Sequence, residues 1–380
     1  MTPKFCEVGH SELKMDDYIF FSKSNWHEAP RLRHQVAGLV RSFGGRIQFF
    51  QKPSFVWQGS ARNKIVRVDD DLTIARTCQL IHHQLRVFSV LRWLNAVVEK
   101  KSIREMLGKG VSKDVVVVNF NYDYYFLRDI FPDNTIVTII NDDFVAQSKF
   151  FSGAHAKRSL KRTCAASDLV LTVSYPLMRQ VSEWCSPKLF FPWADVEYRA
   201  PSPRSERNAV LLWAHIDARV DFALLQQSIL MRPDVIFYLV GPQAQNIREH
   251  TSRIQSAANV VVVSSAKLDE LPMERFFAAI IPYKKYVADI EAVTMSNKSL
   301  QLMSRGLPIV AHGMPAFYEH PAIVKAENVD DFLGGVDYFR HNFLNLQDSI
   351  ADLVSNNQPR NRFDFLRDLI SENGVRIQDV

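Results

Sequence analysis

Short apolar segments of strand length alternate with segments of helical periodicity along the whole chain. Continuous apolar strands that are separated by helices are typical of parallel sheets covered on both faces. The pattern therefore predicts an α/β protein built from doubly wound sheets. The strands are predicted at residues 18–22, 46–50, 115–118, 136–140 and 169–173 in the first half, and at 210–213, 235–240, 260–263, 278–282 and 308–311 in the second.

The composition changes between residues 194 and 208, where two prolines and many charges interrupt the alternation. Such a segment predicts a linker between domains. Residues 1–198 would then form one domain and residues 199–360 a second. Because open α/β sheets bind ligands beyond the carboxyl ends of their strands, the two domains are expected to face a central cleft that holds the site.

Basic residues are concentrated in the first half of the chain. Residues 1–200 contain 28 Lys and Arg against 20 Asp and Glu, a net +8, whereas the rest contain 18 against 21, a net −3. Residues 31–110 alone carry 15 basic and 5 acidic residues. An ordinary solvated surface, a phosphate-rich partner and an anionic membrane all fit this charge. No nucleic-acid-binding motif accompanies it, so a nucleic-acid partner is not expected.

Residues 86–104 within this basic region have helical periodicity. Packing of their apolar side against the same domain is the preferred interpretation, and insertion into a membrane interface is the alternative. No apolar run reaches the roughly 18 residues of a membrane-spanning helix, and the amino terminus does not look like a signal peptide. Four widely spaced cysteines make a zinc site improbable. The apolar side consists of Val87, Val90, Leu91, Leu94, Val97 and Val98.

Residues 278–311 read as a strand, a loop, a helix that opens at Ser296 and Asn297, and a second strand. Free backbone N–H groups and the helix dipole favour anions at a helix start, and Lys298 adds a full positive charge there. An ordinary α/β crossover with a surface lysine is the alternative.

The same segment resembles the donor-binding stretch of GT-B glycosyltransferases of bacterial polysaccharide biosynthesis. The resemblance rests on Pro282-Tyr283, on Lys298-Ser-Leu-Gln301 and on Gly306-Leu-Pro308-Ile-Val310. Within that group the segment resembles the xanthan-type glucuronosyltransferase, which also has Lys-x-x-Gln at this place and a Tyr the same distance before it. The Glu-x7-Glu signature of retaining members is absent, which favours an inverting mechanism.

The resemblance implies a GT-B fold, in which the last helical segment, residues 361–380, crosses back onto the first domain. It also implies that donor phosphates lie near Lys298 and that the Gln301 amide holds the ribose hydroxyls. Many relatives have a glycine near Trp213 or Ala214 that lets the backbone approach these phosphates, and this chain has none there. The implied donor-binding residues are His215, Ser265, Tyr283, Asn297, Lys298 and Gln301.

Acidic residues follow the predicted strand at 136–140, in the sequence Asn141-Asp142-Asp143. An inverting transferase needs one base that removes a proton from the acceptor hydroxyl, and the resemblance places that base on Asp142. Capping of the next segment by Asp142, with Asp143 solvated, is the alternative. A pair of metal-ligating carboxylates is disfavoured by the two-domain pattern, so no metal is expected.

The loop after the first predicted strand resembles the acceptor region of the same enzymes, where an aromatic residue and Pro-Arg precede a basic, His-bearing helix start. Trp26 would stack on an acceptor sugar, because it has no obvious periodic place in a core. Arg31, Arg33 and His34 would meet a phosphate. A capping turn with solvated Arg33 and His34 is the alternative.

These features together predict an enzyme that transfers a sugar from a nucleoside diphosphate sugar, namely a UDP-sugar, to a glycan acceptor. No cofactor is expected. The basic first domain favours a lipid-pyrophosphate-linked oligosaccharide acceptor at the cytoplasmic face of the cell membrane, in exopolysaccharide or capsule synthesis. A UDP-sugar 2-epimerase on the same fold and a non-catalytic GT-B subunit bound to a partner transferase are the alternatives.

Overall fold

The structure is a computed structural model that describes residues 17–28, 31–58, 64–82, 85–86, 88–108, 110–148, 153–193, 197–203 and 206–374. The chain divides into two compact units. The first unit runs up to Val173, takes in Leu177–Phe190 and resumes at Phe363. The second consists of Ser174–Pro176 and Phe191–Arg362.

The first unit is built on one sheet with the strand order β3-β4-β2-β1-β5-β6-β7-β8. The described pairings are parallel, except that β3 runs antiparallel to β4 at the sheet edge. The strands are β1 Asp17–Phe21, β2 Arg46–Phe55, β3 Lys64–Arg67, β4 Leu72–Gln79, β5 Val116–Asn119, β6 Ile136–Ile140, β7 Leu169–Thr172 and β8 Lys188–Leu189.

Helices connect these parallel strands and cover the sheet. The helix at the end of the chain, α11 Pro359–Gly374, connects no strands. It brings Phe363 to stack on Phe43 with a centroid distance of 4.5 Å, and Phe365 to face Phe190 at 6.4 Å. The carboxyl-terminal helix therefore packs in part with the first unit. The helices are α1 Leu32–Ser42, α2 Ser89–Leu107, α3 Gly153–Ala165, α4 Tyr175–Val181 and, at the end of the chain, α11 Pro359–Gly374.

The second unit has a parallel sheet with the order β11-β10-β9-β12-β13-β14. Every residue of β12 is buried, because this strand lies inside the sheet between β9 and β13. The elements are β9 Ala209–Trp213, β10 Ile236–Val240, β11 Val260–Val263, β12 Phe276–Pro282, β13 Ile309–His312 and β14 Ile323–Ala326, with α5 Phe222–Met231, α6 Arg248–Gln255, α7 Ala288–Glu291, α8 Asn297–Met303, α9 Val329–Asn342 and α10 Gln347–Asn356.

The prediction of an α/β protein with parallel sheets is confirmed, and all ten predicted strands are present with shifts of a few residues at their ends. The hydrophobic pattern missed β3, β4, β8 and β14. The β4 sequence LTIARTCQ contains four polar side chains, so it does not form a continuous apolar run. β3 is exposed along its whole length, which hydrophobicity cannot reveal.

Helix α2 contradicts the interpretation that the apolar side of residues 86–104 packs within its own domain. Val90, Leu94 and Val97 are exposed, and Leu91 and Val98 are only half-buried. The polar residues Asn95 and Glu99 of the same helix are fully buried. Val87, which was assigned to the same apolar side, lies outside the described residues. The physical reason is that β4 ends beneath this helix, where its backbone N–H groups need hydrogen-bond acceptors from polar side chains of α2.

Candidate active site

Asp142 lies just beyond the carboxyl end of β6 in the first unit, half-buried between two polar neighbours. Its Oδ2 is 3.9 Å from Nη2 of Arg33 and accepts a 2.6 Å hydrogen bond from the Asn141 side-chain amide. Burial raises the pKa of Asp142 above the ordinary range, while the positive charge of Arg33 acts in the opposite direction. A raised pKa makes a carboxylate a stronger base, which suits general-base catalysis.

Asp143 has a different role from its neighbour. Its Oδ1 accepts hydrogen bonds from the backbone N–H groups of Val145 at 3.1 Å and Ala146 at 2.9 Å, and another from the Gln180 amide at 3.3 Å. Asp143 therefore caps the turn that follows β6. The alternative that Asp142 is the cap and Asp143 is solvated does not match this geometry, which leaves the Asp142 carboxylate directed to Arg33.

The loop between β1 and α1 positions Arg33. This side chain is buried, and its Nη1 lies 3.5 Å from Oγ of Ser22 at the end of β1. Burial lowers the pKa of Arg33, and Asp142 partly restores it. The alternative of a merely solvated Arg33 is therefore wrong. Arg31, by contrast, is exposed at the start of α1.

His34 and Trp26 are held within the same loop. His34 Nδ1 accepts a 3.1 Å hydrogen bond from the Arg31 backbone N–H, and Nε2 lies 3.1 Å from the Asn25 carbonyl oxygen. The Trp26 ring packs edge-on against Phe49 at 5.0 Å and His34 at 5.6 Å. Trp26 thus has a packing role that periodicity did not reveal, and contacts of both residues with an acceptor stay predictions.

A buried ionic network in the first unit was not predicted from the sequence. Lys23, which follows β1, pairs with Asp123, which follows β5. Arg86 bridges Asp123 at 2.9 Å and Glu99 at 3.0 Å, and Lys23 also lies 4.8 Å from the Tyr122 ring centroid. These residues are far apart in the chain and carry no motif, so only the neighbouring positions of β1 and β5 in the sheet bring them together.

Lys298 lies in the first turn of α8 in the second unit. Ser296 caps this helix, since its Oγ accepts from the Ser299 backbone N–H at 3.0 Å while Ser299 Oγ accepts from the Ser296 N–H at 3.0 Å. The Lys298 ammonium makes no hydrogen bond or ion pair with another described residue. Its pKa is lowered, first by burial and then by the nearby charge of Arg219. Asp217 acts in the opposite direction. A bound anion would also favour the charged form of Lys298, so the residue fits an anion site.

The loop after β9 supplies a second positive charge beside Lys298, that of Arg219. Arg219 forms a forked ion pair with Asp217, with an Nη2 to Oδ2 distance of 2.7 Å and an Nε to Oδ1 distance of 3.0 Å. Backbone hydrogen bonds from Asp221 to Pro282 and from Lys284 to Arg219, both 2.8 Å, fix the loop against the end of β12. Sequence reasoning singled out His215, which is exposed, and missed Arg219.

Asn297 and Gln301 lie on one side of α8. The Gln301 amide donates to Asn297 Oδ1 at 2.7 Å, and the Asn297 amide donates to the Trp193 carbonyl oxygen at 2.9 Å. Asn297 therefore helps to hold the segment that precedes the second sheet. The Oε1 atom of Gln301 makes no hydrogen bond with another described residue, so it is the part of this pair that can accept from a ligand.

Tyr283 and Ser265 follow two other strands of the second sheet. Tyr283 is buried with the hydrophobic core of the unit, and its backbone N–H lies 3.2 Å from the His312 carbonyl oxygen. Ser265 is exposed two residues beyond β11, in a loop held by the 2.9 Å hydrogen bond from the Trp213 indole to Ala266. Donor contacts of these two residues stay predictions.

A glycine does permit a close backbone approach near Ala214, although the sequence has none beside that residue. Gly241 follows β10 with a φ of 142°, and a Cβ placed on it would lie 1.8 Å from the Ala214 carbonyl oxygen. A side chain could not occupy that space. Gly241 therefore lets the turn after β10 pack against the backbone of Ala214, and it does not replace the glycine that relatives have beside the donor phosphates.

Within the described ranges, no group of three or more His, Cys, Asp or Glu residues could hold a metal ion. None of the described helices combines the length and apolar character that crossing a bilayer requires.

Comparison with known proteins gives one sequence relative and many structural ones. No family model matches the chain. A Bacillus subtilis (strain 168) protein, TuaH, which carries the name of a teichuronic acid biosynthesis glycosyltransferase, is 27% identical over 103 residues, or 27% of this chain. The match spans only 25% of that relative's length.

Solved structures align over nearly the whole chain. The lipopolysaccharide outer core galactosyltransferase WaaB has a TM-score of 0.63 at 11% identity, covering 94% of this chain and 99% of WaaB. The α,α-trehalose 6-phosphate synthase of Burkholderia multivorans has a TM-score of 0.64 at 12% identity, covering 96% and 99%. An E. coli trehalose-6-phosphate structure bound with UDP-2-fluoro glucose has a TM-score of 0.61 at 10% identity, covering 96% and 99%.

These neighbours are GT-B glycosyltransferases, and the predicted GT-B fold is confirmed. The resemblance to GT-B glycosyltransferases that the motifs indicated is confirmed with it. At this level of identity the structural likeness establishes the fold alone. The chemistry of this chain must be argued from its own residues.

Proposed function

We propose that this protein is a glycosyltransferase that moves a sugar from a UDP-sugar to a glycan acceptor, with inversion at the anomeric carbon and without a metal ion. The observation that carries the proposal is Lys298, a half-buried cation beside Arg219 that forms no ion pair within the described part of the chain, since the nearby Asp217 is paired with Arg219. A nucleoside diphosphate supplies the missing negative charge. The name of TuaH and those of the solved structures agree with this reaction class.

The second unit would bind the donor. The pyrophosphate would lie against Lys298 and Arg219, where positive charge stabilises the diphosphate as it leaves. Gln301 Oε1 would accept from a ribose hydroxyl. Ser265 and the loop after β11 would contact the nucleobase of the donor. His215, Tyr283 and Asn297 complete the predicted donor-binding residues.

The first unit would bind the acceptor and provide the base. Asp142 would remove the proton from the acceptor hydroxyl while that oxygen bonds to the anomeric carbon and the bond from that carbon to UDP breaks. Arg33 would keep the Asp142 carboxylate ionised and oriented. The expected readout is a product of opposite anomeric configuration to the donor. A product that retains the configuration would exclude this role of Asp142.

The acceptor we propose is a lipid-pyrophosphate-linked oligosaccharide of exopolysaccharide or capsule synthesis, met at the cytoplasmic face of the membrane. The support is the local charge, with 15 basic and 5 acidic residues between positions 31 and 110. Arg31, which is exposed, would contact the acceptor pyrophosphate, and Trp26 and His34 would shape the sugar subsite. A donor specificity like that of the xanthan-type enzyme belongs to the same proposal.

Two experiments test the reaction class. First, nucleotides are screened for thermal stabilisation, because a ligand at 100 times its dissociation constant adds about 2.7 kcal/mol to the free energy of unfolding. UDP is expected to stabilise more than the other nucleoside diphosphates. Second, UDP-sugars are incubated with and without lipid-linked glycans, and UDP release is followed. Release is expected to depend on acceptor.

The alternatives give different results in the same assays. Conversion of a UDP-sugar in the absence of any acceptor would indicate a 2-epimerase-like enzyme. Failure to bind any nucleotide would indicate a non-catalytic subunit of a partner transferase. Either result would contradict the proposed function.

A further inference from the structure

Helix α2 has its polar side turned into the first unit. Asn95 Oδ1 accepts hydrogen bonds from the backbone N–H groups of Leu80 at 2.9 Å and Ile81 at 3.1 Å, just beyond β4. Ser102 Oγ accepts from the Cys78 N–H at 3.0 Å within the strand. These buried backbone donors need partners, so the polar side of the helix is fixed inward and its apolar side is left outside.

The apolar side forms an exposed stripe, which we call the α2 stripe. Val90, Trp93, Leu94 and Val97 follow helical spacing on one side of the helix, with exposed fractions of 64%, 64%, 40% and 41%, and Phe88 extends the stripe with 70%. Contiguous exposed apolar surface on a protein marks an interaction site or a membrane contact.

A cavity of about 280 Å3 opens beside this stripe, between α2, α3 and the short helix Tyr125–Asp129. Trp93 and Val97 belong both to the cavity and to the α2 stripe. The cavity is therefore apolar at the end that meets the stripe. Its other lining residues include three cations, Arg92, Lys100 and Arg162, and one carboxylate, Asp129.

The cations are held in place by their neighbours. The Arg162 guanidinium stacks 3.6 Å from the Tyr125 ring centroid, Arg92 Nη1 lies 3.0 Å from His155 Nδ1, and Lys100 pairs with Asp129 at 3.1 Å. With three positive charges against one negative charge, the cavity has an excess of about two positive charges at neutral pH. Stacked and hydrogen-bonded cations lose little conformational entropy when they bind a phosphate.

We propose that this cavity binds the phosphate head group of an anionic glycerophospholipid, whose acyl chains lie along the α2 stripe. The inference deepens the proposed function, because it rests on the membrane partner and names the lipid class and its site. A free phosphate would satisfy the cations but leave the stripe in water. A second copy of the chain, docked face to face by two-fold symmetry, would bring the same cations against each other.

The test is co-flotation of the full chain with vesicles of 30% phosphatidylglycerol in phosphatidylcholine, compared with phosphatidylcholine alone. Lys100→Gln and Arg162→Gln each remove a cavity cation. Lys101→Gln is the matched control, since Lys101 is the next residue of the same helix, is 78% exposed and does not line the cavity. A cation that only attracts the surface is worth about fivefold in binding, whereas a hydrogen bond to the charged head group is worth about tenfold or more.

The apolar part of the site is tested in the same assay. Trp93→Ser is expected to reduce binding to the anionic vesicles. Trp57→Ser is its control, because Trp57 is 66% exposed and lies in the turn two residues beyond β2 rather than on α2. Two results together would support the head-group site. Vesicle binding would fall more in Lys100→Gln and Arg162→Gln than in Lys101→Gln, and it would fall in Trp93→Ser but not in Trp57→Ser.

Several results would overturn the inference. Equal losses for Lys100→Gln and Lys101→Gln would mean diffuse electrostatic attraction without a cavity. Inorganic phosphate that competes with the vesicles at equal phosphate concentration would indicate a small-anion site. A dimer in light scattering that Trp93→Ser abolishes would assign the stripe to a second copy. Thermal stabilisation by UDP, measured on the same variants, separates failure of the lipid site from failure of the proposed function.

Discussion

The two sheets end in loops whose charges are arranged in opposite ways. In the first unit each buried cation has a carboxylate beside it, since Lys23 pairs with Asp123, Arg86 with Glu99 and Arg33 lies near Asp142. Among the described residues of the second unit, Lys298 forms no ion pair, and the nearby Asp217 is already paired with Arg219. Paired charges hold side chains in position, whereas an unpaired cation favours the binding of an anion. This difference supports the proposal that the first unit provides the base and that the second binds the donor diphosphate.

The largest expected effect is on turnover in Asp142→Asn. Loss of a general base lowers the rate by about 10²–10⁴-fold, while affinity for UDP should hardly change because Asp142 belongs to the first unit. Asp143→Asn is the control. Its amide oxygen can still accept from the Val145 and Ala146 N–H groups, so it should keep most of its activity. Low turnover in Asp143→Asn with normal turnover in Asp142→Asn would transfer the base to Asp143.

A second effect concerns the stability of the first unit. Arg86→Met would leave the carboxylates of Glu99 and Asp123 buried with less compensation, which should lower the free energy of unfolding by about 3–5 kcal/mol. The measurement is urea unfolding. Lys113→Met is the control, since its ion pair is largely exposed and such pairs contribute about 1 kcal/mol or less.

Adding Glu99→Gln to Arg86→Met should recover part of the lost stability, because one of the unpaired charges is removed. No recovery in the double variant would mean that the loss comes from packing rather than from charge. The claim that paired charges stabilise the first unit would then be contradicted.

A smaller effect is expected in the pH dependence of activity. A base acts only when it is ionised, so activity should fall as the pH falls through the pKa of Asp142, which burial raises above the ordinary aspartate range. Arg33→Gln removes a cation that lowers this pKa, so the acid limb of kcat/KM should move to higher pH. An acid limb at the same pH in Arg33→Gln would show that Asp142 is not the titrating base.

The smallest expected effect is that of a chelator. If Lys298 and Arg219 compensate the leaving diphosphate, activity should survive EDTA unchanged. Asp143 already uses its carboxylate to cap a turn, which leaves Asp142 without a second free carboxylate beside it. Activity that is lost in EDTA and restored by magnesium or manganese would make these residues metal ligands instead.

The fold could be predicted because its central strands, such as β6 and β12, are buried along their whole length and so read as apolar runs. The orientation of α2 could not be predicted from its sequence. Its apolar side was expected to face inward, but Asn95 is turned inward by hydrogen bonds to the backbone just beyond β4. The periodicity of the helix carries no information about where β4 ends.

The candidate site was predicted in part for a similar reason. Lys298 stands out because it begins a helix between two buried strands, and Asp142 because it follows one. The sequence could not decide between Asp142 and its neighbour, nor find Arg219. Which carboxylate caps a turn and which cation lies beside Lys298 are set by loop geometry between separate strands.

The central claim is most directly tested by calorimetric titration of UDP into the wild-type protein and two variants. Lys298→Ala removes a charge-assisted contact with the diphosphate, which is worth about 1.5–3 kcal/mol, or about tenfold or more in affinity. Lys325→Ala is the control. Lys325 lies on the edge strand β14 and pairs with the exposed Glu319, so it already has an anionic partner. The account predicts that UDP binds the wild type and Lys325→Ala alike and binds Lys298→Ala at least tenfold more weakly. Equal UDP affinity for Lys298→Ala and the wild type would contradict it.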